Sequence, residues 1–111
     1  SNNYLKSATY LSIAIFKMQE DKNYDYYSRD EEGGSLYLFD LYLDRSGHYN
    51  RLAIDILECQ DLNNALTTIS EYQHLSKEES LFRGFFEDEE YLQTMHNETE
   101  KLISESCISS N

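Results

Sequence analysis

Residues Tyr4 to Met18 read YLKSATYLSIAIFKM. Tyr4, Ala8, Leu11, Ile15 and Met18 recur at steps of four and three, the spacing that brings side chains onto one stripe of an α-helix. Ile13, Ala14 and Phe16 widen that stripe, so the pattern predicts a heavily buried first helix. The chain has no proline, so its strongest helix breaker is missing. Punctuation falls to Gly33, Gly34, Gly47 and Gly84.

Beyond this helix, Glu20 to Gly34 is polar, carries Tyr24, Tyr26 and Tyr27, and reads as a loop of the length that is often functional. Ser35 to Asp44 is apolar enough for either a buried helix or a strand. Its aromatic content favours a short β element, while a cap at Ser35 and a stop at Ser46-Gly47 favour helix. The helical reading is preferred because a lone strand would have no partner. Tyr49, Leu52, Ala53, Ile56 and Leu57 follow the next helical stripe. Asp61 is placed to cap a helix whose inner face is Leu62, Ala65, Leu66, Ile69 and Tyr72. Ser76 with Glu79 forms a capping box that opens a helix with Leu81 and Phe82 inward. The run Glu87, Asp88, Glu89, Glu90 suits the positive end of a final helix, whose core face is Leu92, Met95, Leu102 and Ile103. The expected fold is all-α: one domain over residues 1–111, a bundle of five or six helices.

The size, 111 residues, agrees with one domain. Twenty-one acids face nine bases, a net charge of −12. That balance argues against direct binding to a nucleic-acid backbone, because the phosphate contacts need a basic surface. The same charge argues against an anionic lipid surface, and no apolar run is long enough to span a membrane. Ala8 to Phe16 is apolar enough for a signal-peptide core. Lys17, Met18, Gln19 and Glu20, however, stand where small cleavage residues belong.

Catalytic and metal signatures are missing. No phosphate-binding glycine loop and no nucleophile turn occurs. His48, His74 and His96 fall on separate predicted elements. Glu71 and His74 make one Glu-x-x-His, half of what a helical di-iron site requires, beside the buried stripe rather than on it. The sequence therefore predicts no enzyme, no cofactor and no metal site. Cys59 and Cys107 show no Cys-x-x-Cys spacing and are too few for a disulfide scaffold, so they are expected to be reduced in a cytoplasmic protein.

The informative features are charge and tyrosine. Residues 1–55 hold nine acids and six bases, whereas residues 56–111 hold twelve acids and three bases. A solubility coat is one meaning of that surplus. Ten tyrosines supply another. Tyr24, Tyr26 and Tyr27 lie among Asp25, Asp30, Glu31 and Glu32, and tyrosine beside carboxylate suits a docking surface for a basic protein. The run Glu87, Asp88, Glu89 and Glu90 is the alternative patch.

With these residues the chain resembles, in size, charge and helicity, the small acidic immunity proteins that bacteria make against nuclease toxins, of the colicin and contact-dependent-inhibition kinds. That resemblance implies a tight complex with one cognate basic toxin, a nuclease domain whose active site is covered, and no catalysis by the chain itself. Two other readings stand beside it. One is a phage-type inhibitor of restriction or CRISPR machinery that mimics DNA with carboxylates, for which the acids form clusters rather than a regular ladder. The other is a non-inhibitory adaptor that grips a partner helix, a reading that an exposed patch of Phe82, Phe85 and Phe86 would support.

Overall fold

The computed structural model describes residues 2–20, 27–29, 35–74 and 89–107. Among them are four helices: α1 (Asn2–Glu20), α2 (Leu38–Arg51), α3 (Asp55–Gln73) and α4 (Glu89–Ser106). A short antiparallel ladder joins β1 (Tyr27–Arg29) to β2 (Ser35–Tyr37), with Tyr27 opposite Tyr37 and Arg29 opposite Ser35. The chain is thus essentially all-α, with four helices among the described residues instead of five or six. The helix expected from Ser76, and Phe82, Phe85 and Phe86, lie outside the described residues.

The main contacts run in sequence order: α1 on α2, α2 on α3, α3 on α4. The centre of the row is the densest. Phe39, Ala65 and Ile69 are fully buried there, with Leu38, Leu41, Tyr72 and, from α1, Ile15 and Met18 around them. Tyr72 meets Phe39 edge-on at 5.6 Å between ring centroids, and Tyr37 stacks on Phe39 at 5.2 Å. Such pairs contribute about 0.5–1.5 kcal/mol each beyond area burial.

The ambiguous segment is both strand and helix. Ser35 lies in β2, not at a helix cap, and α2 begins only at Leu38. The N-cap, Tyr37, makes no capping bond with its own side chain. Its role is filled from elsewhere. The Leu38 N–H donates to the Tyr72 hydroxyl at 3.3 Å, and the Asp40 carboxylate accepts the Tyr37 N–H, as the third residue of a capping box does.

Gly47 does not stop α2. It is exposed, and a Cβ there would meet nothing within 4 Å, so the helix runs through it. The helix ends at Leu52. The Ile54 N–H reaches the Tyr49 carbonyl at 2.9 Å and the Ala53 N–H reaches the Asn50 carbonyl at 3.1 Å. Those are the two bonds of a Schellman motif, and Ala53 holds its left-handed position with φ 59°. The turn interrupts the stripe expected over Tyr49 to Leu57, and it leaves Ile56 three-quarters exposed.

Asp61, expected at a helix start, instead sits in the second turn of α3 and is almost wholly buried. The Arg45 guanidinium grips it from α2 with Nε–Oδ2 2.8 Å and Nη2–Oδ1 2.6 Å. The remaining Nη1 donates to Ser12 Oγ on α1 at 2.9 Å, so one side chain ties three helices. Arg45 also lies over the rings of Tyr42 and Tyr49 at 5.8 and 5.6 Å. The cysteines are not reduced: Cys59 in α3 is bonded to Cys107 at the end of α4, with Cα atoms 5.6 Å apart. Few residues of α4 are buried, Leu92 and Thr99, so this bond anchors an otherwise lightly held helix.

Candidate partner-binding surface

Most of the tyrosine–acid segment, Tyr24, Asp25, Tyr26, Asp30, Glu31 and Glu32, lies outside the described residues, as do Glu87 and Asp88. Tyr27 is placed in β1, while Glu89 and Glu90 stand exposed in the first turn of α4. The structure brings these three to one end of the molecule. Tyr27 pairs with Tyr37, the Tyr37 ring lies 6.2 Å from that of Tyr91, and Tyr91 follows Glu90 directly. Tyr27, the described residue of one stretch, is thus linked through Tyr37 and Tyr91 to the described residues of the other, Glu89 and Glu90.

From this end an acidic stripe runs along α4. Tyr91, Glu98, Leu102 and Glu105 follow at steps of seven, four and three, which is one line on a helix, and all four are exposed. The line is about 21 Å long at 1.5 Å per residue. Leu102 was expected in the core. It lies instead on this outer line, whereas Leu92 is buried and Met95 and Ile103 are half-buried. Glu89 and Glu90 precede this line at the start of the helix, and Glu100 lies on the far side of it, against a single base on the helix, Lys101. The spacing of Tyr91, Glu98, Leu102 and Glu105 was available in the sequence, but the adjacent core line through Leu92 masked it.

The charge is polarised along the row of helices. Residues 1–19, nearly all of α1, contain Lys6 and Lys17 and no acid, while the other 92 residues hold all 21 acids and seven bases. Arg45 is used up inside by Asp61, so it offsets nothing on the surface. Tyr37, Tyr42 and Tyr72 belong to the core, whereas Tyr10 and Tyr91 are exposed.

Asp40 joins the acidic end to the core. The Tyr91 hydroxyl donates to its Oδ1 at 3.4 Å. Burial raises its pKa above the usual aspartate value; the bonds from the Tyr37 N–H and Tyr91 lower it by less, and the nearby Asp44 carboxylate raises it further.

Two hollows lie elsewhere. One, of about 530 Å³, is lined by Ile56, Asn63, Ser106 and the Cys59–Cys107 bond. The other, of about 440 Å³, is an open groove on α3 by Leu66, Ser70, Glu71 and His74. Glu71 and His74 are exposed, and His74 Nδ1 rests 2.6 Å from the Ser70 carbonyl. Among the described residues, no group of three or more His, Cys, Asp or Glu side chains is placed to hold a metal ion. No described helix is long and apolar enough to cross a membrane.

Comparison with known proteins finds no matching family, no similar curated protein and no similar solved structure.

Proposed function

We propose that the chain is an immunity-type inhibitor, which binds a basic protein toxin of the nuclease class and covers its active site. The observation that carries this reading is the α4 line of Tyr91, Glu98, Leu102 and Glu105, adjoining Glu89 and Glu90. Carboxylates spaced along an exposed helix attract a cationic active-site cleft, and the tyrosine ring and leucine between them give contact area that charge alone lacks. The contact set is Tyr24, Asp25, Tyr26, Tyr27, Asp30, Glu31 and Glu32 together with Glu87, Asp88, Glu89 and Glu90, extended by the α4 line. Long-range attraction of this kind raises association rates by about 10–1,000-fold at low salt.

The disulfide bears on where the complex forms. A cytoplasmic location was inferred from reduced cysteines. A bonded Cys59–Cys107 pair supports an oxidising compartment, such as a periplasm or the extracellular space, as the place where the toxin is met.

The test first asks whether a basic nuclease toxin is encoded beside this gene, whose absence would count against the reading, and then uses that toxin. Added in slight excess, the chain should abolish the toxin's nuclease activity, with an association rate that falls steeply as salt rises. Reversing Glu98 and Glu105 to lysine, or Asp30, Glu31 and Glu32 to lysine, should slow association more than it speeds dissociation. A nuclease that keeps full activity in the saturated complex would sink the reading.

A further inference from the structure

Among the described residues the row of helices ends on α1, and the face that α1 turns away from α2 is apolar. Leu5, Thr9, Ile13 and Phe16 follow at steps of four, four and three, a second stripe roughly a third of a turn round the helix from the buried one. Tyr10 stands beside it. Leu5 is 54% exposed, Tyr10 66%, Ile13 48% and Phe16 62%. The width that predicted a heavily buried helix is therefore real in the sequence, but among the described residues α1 buries only half of it.

Taking about 150–250 Å² for a whole aromatic side chain, the four apolar residues expose on the order of 450 Å². That falls in the range, about 300–600 Å², of the largest apolar patch on a monomer, which is often functional. Matched across two copies it gives roughly 900 Å², and with the stems of Lys6 and Lys17 it reaches the about 1,000 Å² at which specific interfaces begin. Charge names the occupant. Every acid of the chain lies beyond residue 19. Of those acids only Glu20, four residues beyond Phe16 at the end of the stripe, lies on α1, and an antiparallel pairing centred near Thr9 keeps the two Glu20 carboxylates at opposite ends of the contact. Lys6 and Lys17 fall between the stripe and Tyr10, where their stems lie along the apolar surface and their ammonium groups stay hydrated.

We propose that this outer stripe of α1 is a homodimer interface, in which the α1 helices of two copies pack face to face about a twofold axis. The same patch serves both subunits, as such symmetry requires. Thr9, near the middle of the stripe, is small enough to let the two backbones approach. The interface is separate from the acidic line on α4, at the other end of the row, and does not depend on the function proposed for it. Salt distinguishes the two. Screening weakens attraction to a basic partner, but it relieves the repulsion between two chains of net charge −12 and strengthens the dimer.

Sedimentation equilibrium of the full chain from about 1 to about 200 μM, at about 50 and about 500 mM salt, tests this. The expected result is a monomer–dimer equilibrium that tightens at the higher salt. Phe16→Glu and Ile13→Ser, both at exposed positions, should each weaken it about tenfold or more, with helical circular dichroism unchanged. Ile56→Glu, at an exposed apolar position on α3, should leave it intact. A monomer at every concentration and both salts overturns the proposal. So does a dimer that survives folded Phe16→Glu or Ile13→Ser, or one that Ile56→Glu dissociates instead.

Discussion

The Arg45 guanidinium and the Asp61 carboxylate meet side-on through two hydrogen bonds, of 2.8 and 2.6 Å, in the interior between α2 and α3. Asp61 is almost fully buried, and Arg45 keeps a minor part of its side chain in contact with water. Removing one member leaves the other charge desolvated and unpaired. Asp61→Ala should therefore destabilise the fold by about 3 kcal/mol, measured by chemical denaturation. Replacing both, with Arg45→Met and Asp61→Leu, should cost clearly less than the two single changes added together. An additive result would mean that the pair is uncoupled.

The Cys59–Cys107 bond closes a separation of 48 residues. In the chain-entropy account, a loop of that size is worth about 4 kcal/mol. Reductant, or Cys59→Ser with Cys107→Ser, should lower the unfolding free energy by about 2–4 kcal/mol. Amide exchange should quicken first in α4, which buries little else. Thiol titration of the native protein should find no free sulfhydryl.

Asp40 carries a pKa above its ordinary value, set mainly by burial. The folded state therefore binds its proton more tightly than the unfolded chain does. That contribution favours folding below the unfolded value, near 3.8, and is lost as pH rises through the folded one. Asp40→Asn keeps the shape and removes the titration. It should raise the melting temperature at pH 7, and the gain should vanish as pH drops below the ordinary aspartate range. A gain of the same size at every pH would show that burial of the charge is not its cause.

Gly47 and Ala53 hold each other's natural positions. Gly47 lies exposed inside α2 with open space around its missing Cβ, and Ala53 holds the left-handed turn that ends the helix. Gly47→Ala should stabilise the protein by about 0.5–1 kcal/mol. Ala53→Gly should relieve the left-handed conformation's penalty of about 1–2 kcal/mol, less glycine's extra entropy. Both shifts are readable in thermal melts, and a loss of stability at either site would contradict the local geometry.

The same pair explains which parts of the fold were legible. Leu62, Ala65, Ile69 and Tyr72 repeat with helical spacing and do line the inner face of α3. The α2–α3 boundary was not legible, because its Schellman turn uses alanine where glycine would have marked it, while the nearest glycine sits idle in mid-helix. Asp61 read as a cap, since an aspartate ahead of an apolar run has that appearance, and nothing local reveals an arginine sixteen residues upstream reaching for it. Cys59 and Cys107 are far apart in sequence, and only the packing of α4 on α3 brings them together. Of the proposed surface, the acid run at the start of α4 was visible as composition. The line through Glu98 and Glu105 emerges only once the buried side of that helix is known.

The serial order of the helices also shapes how the molecule is made. Each described helix packs chiefly on its neighbours in the chain, so contacts are local and folding is expected to be fast. During synthesis α1, α2 and α3 can dock in turn as they leave the ribosome. Cys107 is made 48 residues after Cys59, so their bond can form only once α4 has been synthesised, and with two cysteines in the chain one intramolecular pairing is available to it.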